Sequence, residues 1–236
     1  MPVLELKDVA KEYRQGRVRV QALRGINFRV DQGEFLSIAG PSGSGKTTLL
    51  NLVGCLDVPT EGSIRLEGRE LSQQTKTQLA ETRREKLGFI FQSYNLIPVL
   101  TAFENVAFPL ELMRHLSRRE IRERVEQIME EVDLVEHMHR RPSELSGGQQ
   151  QRTAIARALV KEPAMVLADE PTANLDSDNG GAILSLMWQL NQEKGTTFLF
   201  STHDPMVMEY ACRLVTLRDG QITEDERRNG HVPGSA

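Results

Sequence analysis

The feature of the sequence that most constrains the fold is an apolar run followed directly by a glycine-rich loop. Residues 35–39, FLSIA, are typical of a strand that is covered on both faces. The octapeptide GPSGSGKT follows at residues 40–47 and matches the pattern G-x-x-x-x-G-K-[ST]. Residues 47–56 then predict a helix. A buried strand joined to a helix by such a loop is a unit of an α/β fold.

The phosphate loop, residues 40–47, predicts a binding site for a nucleoside triphosphate. Its glycines let backbone N–H groups converge on phosphate oxygens, and the N-terminus of the following helix adds partial positive charge. We expect Lys46 to reach the β- and γ-phosphates and the Thr47 hydroxyl to coordinate Mg²⁺. A glycine-rich turn without a ligand is the alternative, but the loop has the strand and helix that the motif requires. The predicted nucleotide-binding residues of this segment are Gly40, Ser42, Gly43, Ser44, Gly45, Lys46, Thr47 and Thr48.

A second apolar run, at residues 164–168, ends in two adjacent acids, Asp169 and Glu170. Successive side chains of a strand point to opposite faces, so the two carboxylates can have different roles. Asp169 is suited to hold Mg²⁺, and Glu170 is suited to polarise a water molecule aligned with the γ-phosphate. An isolated pair of acids is otherwise a solvated strand end. Together with the upstream phosphate loop, the pair favours hydrolysis of the nucleotide.

The remaining pattern divides the chain into an α/β core and a helical insert. The predicted strands, besides those named above, are 3–6, 26–30, 63–67 and 197–200, and the further predicted helices are 117–135 and 149–160. We therefore expect a core at residues 1–91 and 163–225, a helical subdomain at about 92–162 and a flexible tail at 226–236.

Composition and charge exclude other classes of protein. A formal net charge of −4 over 236 residues argues against a dedicated nucleic-acid binder, which usually carries an excess of basic residues. Cys55 and Cys212 are far apart in the sequence and predict a reducing compartment. No window approaches the ~20 apolar residues of a membrane-spanning helix, and no signal-peptide pattern is visible. We expect a cytoplasmic protein that binds no nucleic acid.

The signature segment, LSGGQ at residues 145–149, is a second phosphate-binding device. A serine and two glycines at a helix N-terminus offer free N–H groups and the positive end of the helix dipole. This pentapeptide, with the Gln150–Arg152 that follows it, resembles the signature motif of the ATP-binding cassette (ABC) ATPases. Further motifs of that family match in order along nearly the whole chain. Tyr13 resembles the aromatic residue that stacks on adenine, Gln92 the Q-loop glutamine, residues 174–176 the D-loop, and His203 the switch histidine.

This resemblance implies both a fold and a reaction. The implied fold is an α/β, P-loop NTPase (RecA-like) core with an N-terminal antiparallel β subdomain and an inserted α-helical subdomain, forming a single cassette at residues 1–225. The implied reaction is ATP hydrolysis by a head-to-tail dimer. In such a dimer each ATP lies between the phosphate loop of one chain and the signature segment of the other. One signature in the chain implies a homodimer unless a paralogue takes the partner's place.

The resemblance also implies a role for each matching residue. The implied catalytic residues are Glu170, His203, Gln92 and Lys46; the implied Mg²⁺ ligands are Thr47, Gln92 and Asp169; and the implied ATP contacts outside the phosphate loop are Tyr13, Ser146, Gly147, Gly148, Gln149 and Asp176. From the residues alone, Tyr13 packed in the sheet and His203 as an ordinary strand-end histidine stay as alternatives. Ala173 stands where relatives usually have glycine, so the D-loop geometry can differ slightly.

A bare cassette implies a separate permease in the membrane as its partner. The apolar loop at residues 93–103 stands where family members receive that permease, although packing inside the helical subdomain would also explain it. Residues 54–57, 59–62 and 167–172 resemble the bacterial group that includes the lipoprotein-release and the macrolide and peptide exporter ATPases. The implied location is the cytoplasm, peripheral on the inner face of the cell membrane. The alternative is a cassette like the cell-division ABC ATPase, which signals through its membrane partner and transports nothing.

Overall fold

A long β-hairpin opens the chain in the computed structural model, which describes residues 2–16, 18–113 and 115–228. The strands formed by these residues are β1 (Pro2–Gln15), β2 (Val18–Asp31), β3 (Phe35–Ala39), β4 (Glu61–Leu66), β5 (Arg69–Glu70), β6 (Leu87–Ile90), β7 (Met165–Asp169), β8 (Thr197–Thr202), β9 (Arg213–Arg218) and β10 (Gln221–Arg227). Strands β1, β2, β4 and β5 form an antiparallel sheet in the order β2-β1-β4-β5. The other strands form the central sheet in the order β10-β9-β3-β8-β7-β6.

The helices are interspersed with the strands from β3 to β9. The α-helices of the described residues are α1 (Lys46–Val53), α2 (Lys76–Lys86), α3 (Ala102–Glu111), α4 (Arg118–Glu131), α5 (Gly147–Leu159), α6 (Ser177–Lys194) and α7 (Pro205–Tyr210). Three of them, α3 to α5, lie between β6 and β7, in the segment predicted to be a helical insert. Within the described residues, none of the helices has both the length and the apolar character needed to cross a membrane.

The central sheet is parallel except at one edge, and its two faces are covered by different cores. Strands β3, β6, β7, β8 and β9 run parallel, and β10 pairs antiparallel with β9. Phe198 and Phe200 of β8 pack into a core with the helices α3 to α6, whereas Leu199 between them packs into a core with the β1–β2 hairpin and α1. This alternation follows from the two-residue period of a strand. The central sheet therefore lies between two apolar cores.

The start of α5 differs by two residues from the prediction. Ser146 is the N-cap, so the helix begins at Gly147 rather than at Gln149. Ser146 Oγ accepts a hydrogen bond from the backbone N–H of Gln149 (3.3 Å), and Gln149 Oε1 accepts one from the N–H of Ser146 (3.0 Å). This reciprocal capping box satisfies N–H groups that a helix N-terminus otherwise leaves without partners. Both glycines of the signature segment consequently lie in the first turn of α5.

The predicted fold class is confirmed, and the structure adds elements that the sequence pattern did not reveal. Helix α2 was not predicted, because it is a mostly exposed helix in which only Leu79 and Thr82 are buried. Strand β10 continues to Arg227, so it includes the first two residues of the segment predicted as a tail, and residues 229–236 lie outside the described residues. Arg227 pairs with Arg213 across the β9–β10 ladder and contacts Glu34 Oε1 at 3.1 Å, which explains why the strand extends this far.

Phe35 lies in a cluster of aromatic rings in the core formed with helices α3 to α6, and we expect its truncation to have a large effect on stability. The ring of Phe35 lies 5.3 Å from that of Trp188, 5.6 Å from that of Phe198 and 4.7 Å from that of Phe200. We expect Phe35→Ala to lower the free energy of unfolding by about 3–5 kcal/mol, because a cavity replaces these contacts. Urea denaturation measures it. The matched control is Phe108→Ala at a half-exposed phenylalanine, and an equal loss in both variants would contradict this account.

Candidate active site

The phosphate loop is held in its shape by a close approach to the first sheet. Gly45 has φ 107°, and a Cβ atom there would lie 2.7 Å from the carbonyl oxygen of Ala22 in β2. A side chain would clash with this backbone, and the left-handed conformation also favours glycine. The sequence motif requires glycine at this position for phosphate binding, and the structure adds a packing reason: the loop is wedged against β2.

Lys46 lies over the phosphate loop with its ammonium group hydrogen-bonded to main-chain oxygens. Lys46 Nζ donates to the carbonyl of Gly40 at 2.7 Å and to that of Pro41 at 3.0 Å. The positive charge is thus already positioned beside the N-terminus of α1, where the helix dipole also favours an anion. Both features make this end of α1 attractive to phosphate.

A cavity of about 940 Å³ opens above the carboxyl ends of β3, β7 and β8. The predicted residues that line it are Ser42, Gly43, Gly45, Lys46, Thr47, Thr48, Gln92, Asp169, Glu170 and His203. Residues from four separate parts of the chain, at 42–48, 92, 169–170 and 203, therefore meet in one site. Its position agrees with the general preference of open α/β sheets for ligands at the carboxyl ends of their strands.

Other lining residues carry no recognisable motif and were missed. They come from β2 and from the turn between β9 and β10, and they include Gln21, Arg24, Asp219 and Gly220. Backbone hydrogen bonds explain why these segments reach the site: Arg24 N–H donates to the Gly220 carbonyl at 2.9 Å, and Gly220 N–H donates to the Ser44 carbonyl at 3.0 Å. No periodicity or spacing in the sequence signals this convergence, because it depends on tertiary contacts alone.

The oxygen atoms beside the phosphate loop fit the requirements of Mg²⁺. Burial raises the pKa of Asp169 above its ordinary value, a hydrogen bond from Ser201 opposes the shift, and the neighbouring charge of Glu170 adds to it. Such a carboxylate is stabilised by a nearby cation. The Thr47 hydroxyl and the Gln92 side chain line the same cavity. The described residues include no group of three or more His, Cys, Asp or Glu side chains suited to a metal, and Mg²⁺ at a nucleotide needs only one or two carboxylates plus phosphate oxygens.

Glu170 is held at the end of β7 in a conformation that is rare for a residue with a side chain. Its φ is 47°, and its N–H donates to the carbonyl of Ser201 at 2.9 Å. Glu170 Oε2 accepts a hydrogen bond from Thr202 Oγ1 at 2.8 Å, and Oε1 lies 2.5 Å from Nδ1 of His203. Strained residues of this kind cluster at functional sites, where surrounding contacts hold them. The carboxylate is consequently fixed in direction and faces the phosphate cavity.

The segments predicted as Q-loop and D-loop contact each other. Asn174 Nδ2 donates to the carbonyl of Gln92 at 2.8 Å, and the Tyr94 hydroxyl donates to the carbonyl of Asn174 at 3.4 Å. Arg157 of α5 in turn donates to the carbonyls of Tyr94 and Asn95 at 2.7 and 2.5 Å. These bonds join the cavity wall to the helix that carries the signature segment.

The signature segment itself lies outside this cavity. Of the described residues that line the cavity, none belongs to 146–149. A Cβ atom on Gly147 would be 3.2 Å from the Tyr94 hydroxyl, which shows how closely the first turn of α5 packs on the Q-loop segment. Asp176 is likewise outside the cavity; it caps α6 and accepts hydrogen bonds from the backbone and side-chain nitrogens of Asn179 at 2.9 and 2.7 Å. The chain thus presents two separate helix N-termini, that of α1 at the cavity and that of α5 outside it.

Tyr13 lies at the rim of the cavity rather than in its lining. It pairs with Val20 across the β1–β2 ladder, and Val20 lines the cavity. The ring is partly exposed, and its hydroxyl donates to Asp57 Oδ2 at 3.0 Å. Tyr13 thus belongs to β1, but its ring is not buried in the core beneath the sheet. The two remaining predicted contacts, Gly40 and Ser44, belong to the phosphate loop but do not line the cavity. They lie on the side of the loop that faces Leu217 and Gly220.

Comparisons with known proteins agree with this geometry. The sequence profile of the ABC transporter family (ABC_tran) matches residues 23–173. The lipoprotein-releasing system ATP-binding protein LolD of Anaeromyxobacter dehalogenans is 44% identical over 231 residues, which are 97% of each chain. The macrolide export ATP-binding/permease protein MacB of Syntrophobacter fumaroxidans is 45% identical over 234 residues; these are 99% of the present chain but span about a third, 33%, of MacB.

A solved structure is similar over almost the whole chain. It is described as the dimeric structure of a post-hydrolysis state of the ATP-binding cassette MJ0796, from Methanocaldococcus jannaschii, bound to ADP and Pi. The TM-score is 0.87 at 43% identity, with 97% of the present chain and 100% of the other covered. The sequence-based assignment to the group that includes LolD and MacB is confirmed by these relatives.

The geometry of Glu170 predicts the effect of neutralising it. We expect Glu170→Gln to bind ATP as the wild type does and to turn it over at least about 100-fold more slowly, because an amide cannot accept the proton of the attacking water. Phosphate release under saturating ATP measures the turnover. Glu162→Gln, the same change at an exposed carboxylate outside the cavity, is the control. Undiminished turnover in Glu170→Gln would remove this residue from the mechanism.

Proposed function

Because the chain belongs to the ABC transporter family of ATP-hydrolysing cassettes, we propose that it is the motor subunit of an export or lipoprotein-release transporter. It acts as a head-to-tail dimer with a second copy of itself. Its output is a movement imposed on a separate permease in the membrane, which makes it peripheral on the inner face. The named relatives LolD and MacB support this branch.

The observation that carries the dimer proposal is the separation of the two phosphate-binding ends within one chain. The cavity at the phosphate loop is lined by Lys46 at the N-terminus of α1, whereas Ser146 at the N-terminus of α5 does not line it. A second copy turned head to tail would bring its Ser146, Gly147 and Gly148 to the γ-phosphate. The dimeric structures described for MJ0796 support this arrangement.

At the phosphate end, each residue has a proposed task. Lys46 exchanges its two carbonyl partners for the β- and γ-phosphates, while Thr47, Gln92 and Asp169 would hold Mg²⁺. When bound, this ion supplies positive charge against the phosphate oxygens.

Hydrolysis then requires a directed water molecule. The water oxygen forms a bond to the γ-phosphorus, the bond to the leaving ADP breaks, and the proton of the water passes to the carboxylate of Glu170. The contact of Glu170 with Nδ1 of His203 leaves Nε2 to bind the γ-phosphate. Gln92 orients the water from the opposite wall, and Asp176 reports the nucleotide state across the dimer interface.

The proposed connection to the permease is the docking groove, a groove of about 490 Å³ between α2 and α3. Phe89, Phe108 and Leu112 provide its apolar lining, and Phe108 and Leu112 are 38% and 46% exposed. This groove adjoins the Q-loop segment, since Phe89 stacks on Phe91 at 5.7 Å. An amphipathic helix of a permease is a suitable occupant, because such helices insert apolar anchors into grooves.

The charge of the docking groove further restricts its partner. Arg83, Arg84 and Lys161 form its basic side, and Lys161 Nζ donates to the carbonyls of Arg83 and Arg84 at 3.1 and 2.7 Å. Burial, together with the two arginine charges, lowers the pKa of Lys161 to about 8. Glu81 also lines the groove, and an acidic side chain on the docking helix would balance the positive charge that remains. We therefore expect a permease segment that combines apolar anchors with at least one carboxylate.

The loop at residues 93–103, predicted as the docking segment, is held in shape by Asn105 and stays largely accessible, since only Ala102 among its residues is buried. Asn105 is fully buried, and its side chain bonds to the backbone of Ile97, Leu100 and Thr101 at 2.7–3.2 Å. Val99 is 73% exposed and remains available to a partner. The proposed permease contact therefore combines α3 with the accessible residues of this loop.

The head-to-tail arrangement predicts a specific defect on changing Ser146. We expect Ser146→Arg, in a Glu170→Gln background with ATP, to remain monomeric while it binds ATP normally, because its phosphate loop is intact. Size-exclusion chromatography with light scattering measures the mass. Ser117→Arg is the matched control, because Ser117 caps α4 with the same capping box and is not part of the signature segment. Each loses about 1 kcal/mol of helix capping. A dimer of Ser146→Arg would mean that the sandwich arrangement is wrong.

The docking groove predicts which surface change releases the permease. Tagged Glu170→Gln is purified with ATP from detergent-solubilised membranes, and its partners are identified by mass spectrometry. We expect an integral membrane permease with a large extracytoplasmic domain, and we expect Phe108→Asp to lose it while Val135→Asp, a change of another exposed apolar residue, retains it. A division-site membrane protein in its place would favour a signalling role, and recovery of soluble partners alone would contradict the transport proposal.

A further inference from the structure

Tyr13 and Val20 form an exposed apolar cross-strand pair beside the phosphate cavity. The two residues are directly opposite in the β1–β2 ladder, and they are 38% and 48% exposed. Directly paired residues of an antiparallel ladder project on the same face of the sheet. Tyr13 also interacts with Thr48, a lining residue of the cavity. An aromatic ring at this point is within reach of whatever is attached to phosphates bound by the loop.

One face of the Tyr13 ring is covered by a buried lysine. Lys11 is only 8% exposed, and its Nζ lies 5.0 Å from the centroid of the ring. The ammonium group is fixed in turn, because it donates to Asp57 Oδ1 and to the carbonyl of Val58, both at 2.7 Å. A cation over an aromatic face is attracted to the ring. This face is therefore closed to a ligand, and the opposite face is the one available for stacking.

Asp57 connects the lysine, the tyrosine and the helix of the phosphate loop. Its Oδ2 accepts from the Tyr13 hydroxyl at 3.0 Å, and its Oδ1 accepts from the N–H of Val58 at 2.7 Å as well as from Lys11. Burial raises the pKa of Asp57, but the hydrogen bond from Lys11 and those from Val58 and Tyr13 outweigh it, so the pKa lies below its ordinary value and the carboxylate stays charged. The backbone N–H of Asp57 donates to the Asn51 carbonyl of α1 at 3.3 Å.

We propose that Lys11 and Asp57 are positioning residues that clamp the Tyr13 ring at a set distance from the phosphate loop, so that its open face stacks on the base of the bound nucleotide. The clamp rests on the proposed role of Tyr13 as the stacking residue. An exposed tyrosine without such partners would lose rotamer freedom when it becomes ordered on binding. The clamp removes this cost in advance.

Binding of two different ligands distinguishes the contribution of the base to the affinity from that of the phosphates. Isothermal titration of the full chain with MgATP and with inorganic tripolyphosphate plus Mg²⁺ gives two affinities, of which only the first involves a base. We expect Tyr13→Phe and Lys11→Met each to weaken ATP binding about threefold to tenfold, the size of one lost hydrogen bond or cation–π contact. Binding of tripolyphosphate is expected to stay unchanged, because the phosphate loop is untouched.

The phenylalanine variant is the decisive one. It keeps an aromatic ring of the same size at a partly exposed position and removes only the hydroxyl that Asp57 holds. If stacking needed the ring alone, Tyr13→Phe would bind ATP as tightly as the wild type, and that result would overturn the clamp. It also keeps the test valid should Lys11→Met fail to fold. Lys86→Met, which breaks an exposed ion pair with Glu67, is the control for loss of a lysine.

The Tyr13→Ala variant distinguishes failure of the clamp from failure of the stacking role. If Tyr13→Ala weakens ATP binding while Tyr13→Phe and Lys11→Met do not, the stacking role stands and the clamp is wrong. If Tyr13→Ala binds ATP as tightly as the wild type, Tyr13 does not stack on the base, and the proposed role of this residue fails first. Parallel losses in all three variants for ATP alone are the result that the clamp requires.

Discussion

Parallel strands that end side by side make the rest of this structure possible. The carboxyl ends of β3, β7 and β8 lie next to one another in the central sheet, and the phosphate loop, the acids 169–170 and His203 each follow one of them. Apolar cores on both faces hold the strands in register, since large side chains such as Phe35, Phe198 and Phe200 are essentially without solvent exposure. A shift of one strand would turn its aromatic residues to the other core, so the packing and the site are linked.

Charged groups of both signs lie at this edge of the central sheet. Lys46 and the N-terminus of α1 present positive potential on one side, and Asp169 and Glu170 present two carboxylates on the other. Glu170 is kept in a left-handed conformation, which costs about 1–3 kcal/mol, by its bonds to the backbone of Ser201 and the hydroxyl of Thr202. As the proposed base, Glu170 is already directed and loses little freedom when the reaction begins, which is one way in which a folded scaffold favours a transition state.

Within one chain, the residues proposed for the reaction nevertheless lie in two places, the cavity and the N-terminus of α5. The signature end of α5 is joined to the cavity wall through Arg157, Tyr94 and Asn174 rather than through a shared ligand. Beside the same segment lies the apolar and basic docking groove. A nucleotide held between two copies would therefore act on hydrogen-bonded loops that also border the surface proposed for the permease. This continuity is the route that we propose between hydrolysis and movement of the permease, and it consists of the hydrogen bonds of Arg157, Tyr94 and Asn174.

Local chemistry in the sequence was sufficient for the core of the site, and folding decided the rest. The phosphate loop, the acids after β7 and the signature segment could be predicted because strand patterning, glycine content and helix capping are properties of neighbouring residues. Helix α2 could not, because its exposed sequence has little apolar pattern, and Gln21, Arg24 and Gly220 reach the cavity only through backbone bonds between β2 and the β9–β10 turn. The sequence by itself determined the fold class and the phosphate chemistry. Only the tertiary structure decided that Lys11 and Asp57 hold the Tyr13 side chain. Lys11 and Asp57 are 46 positions apart in the sequence, and they meet because β1 packs beside the segment that follows α1.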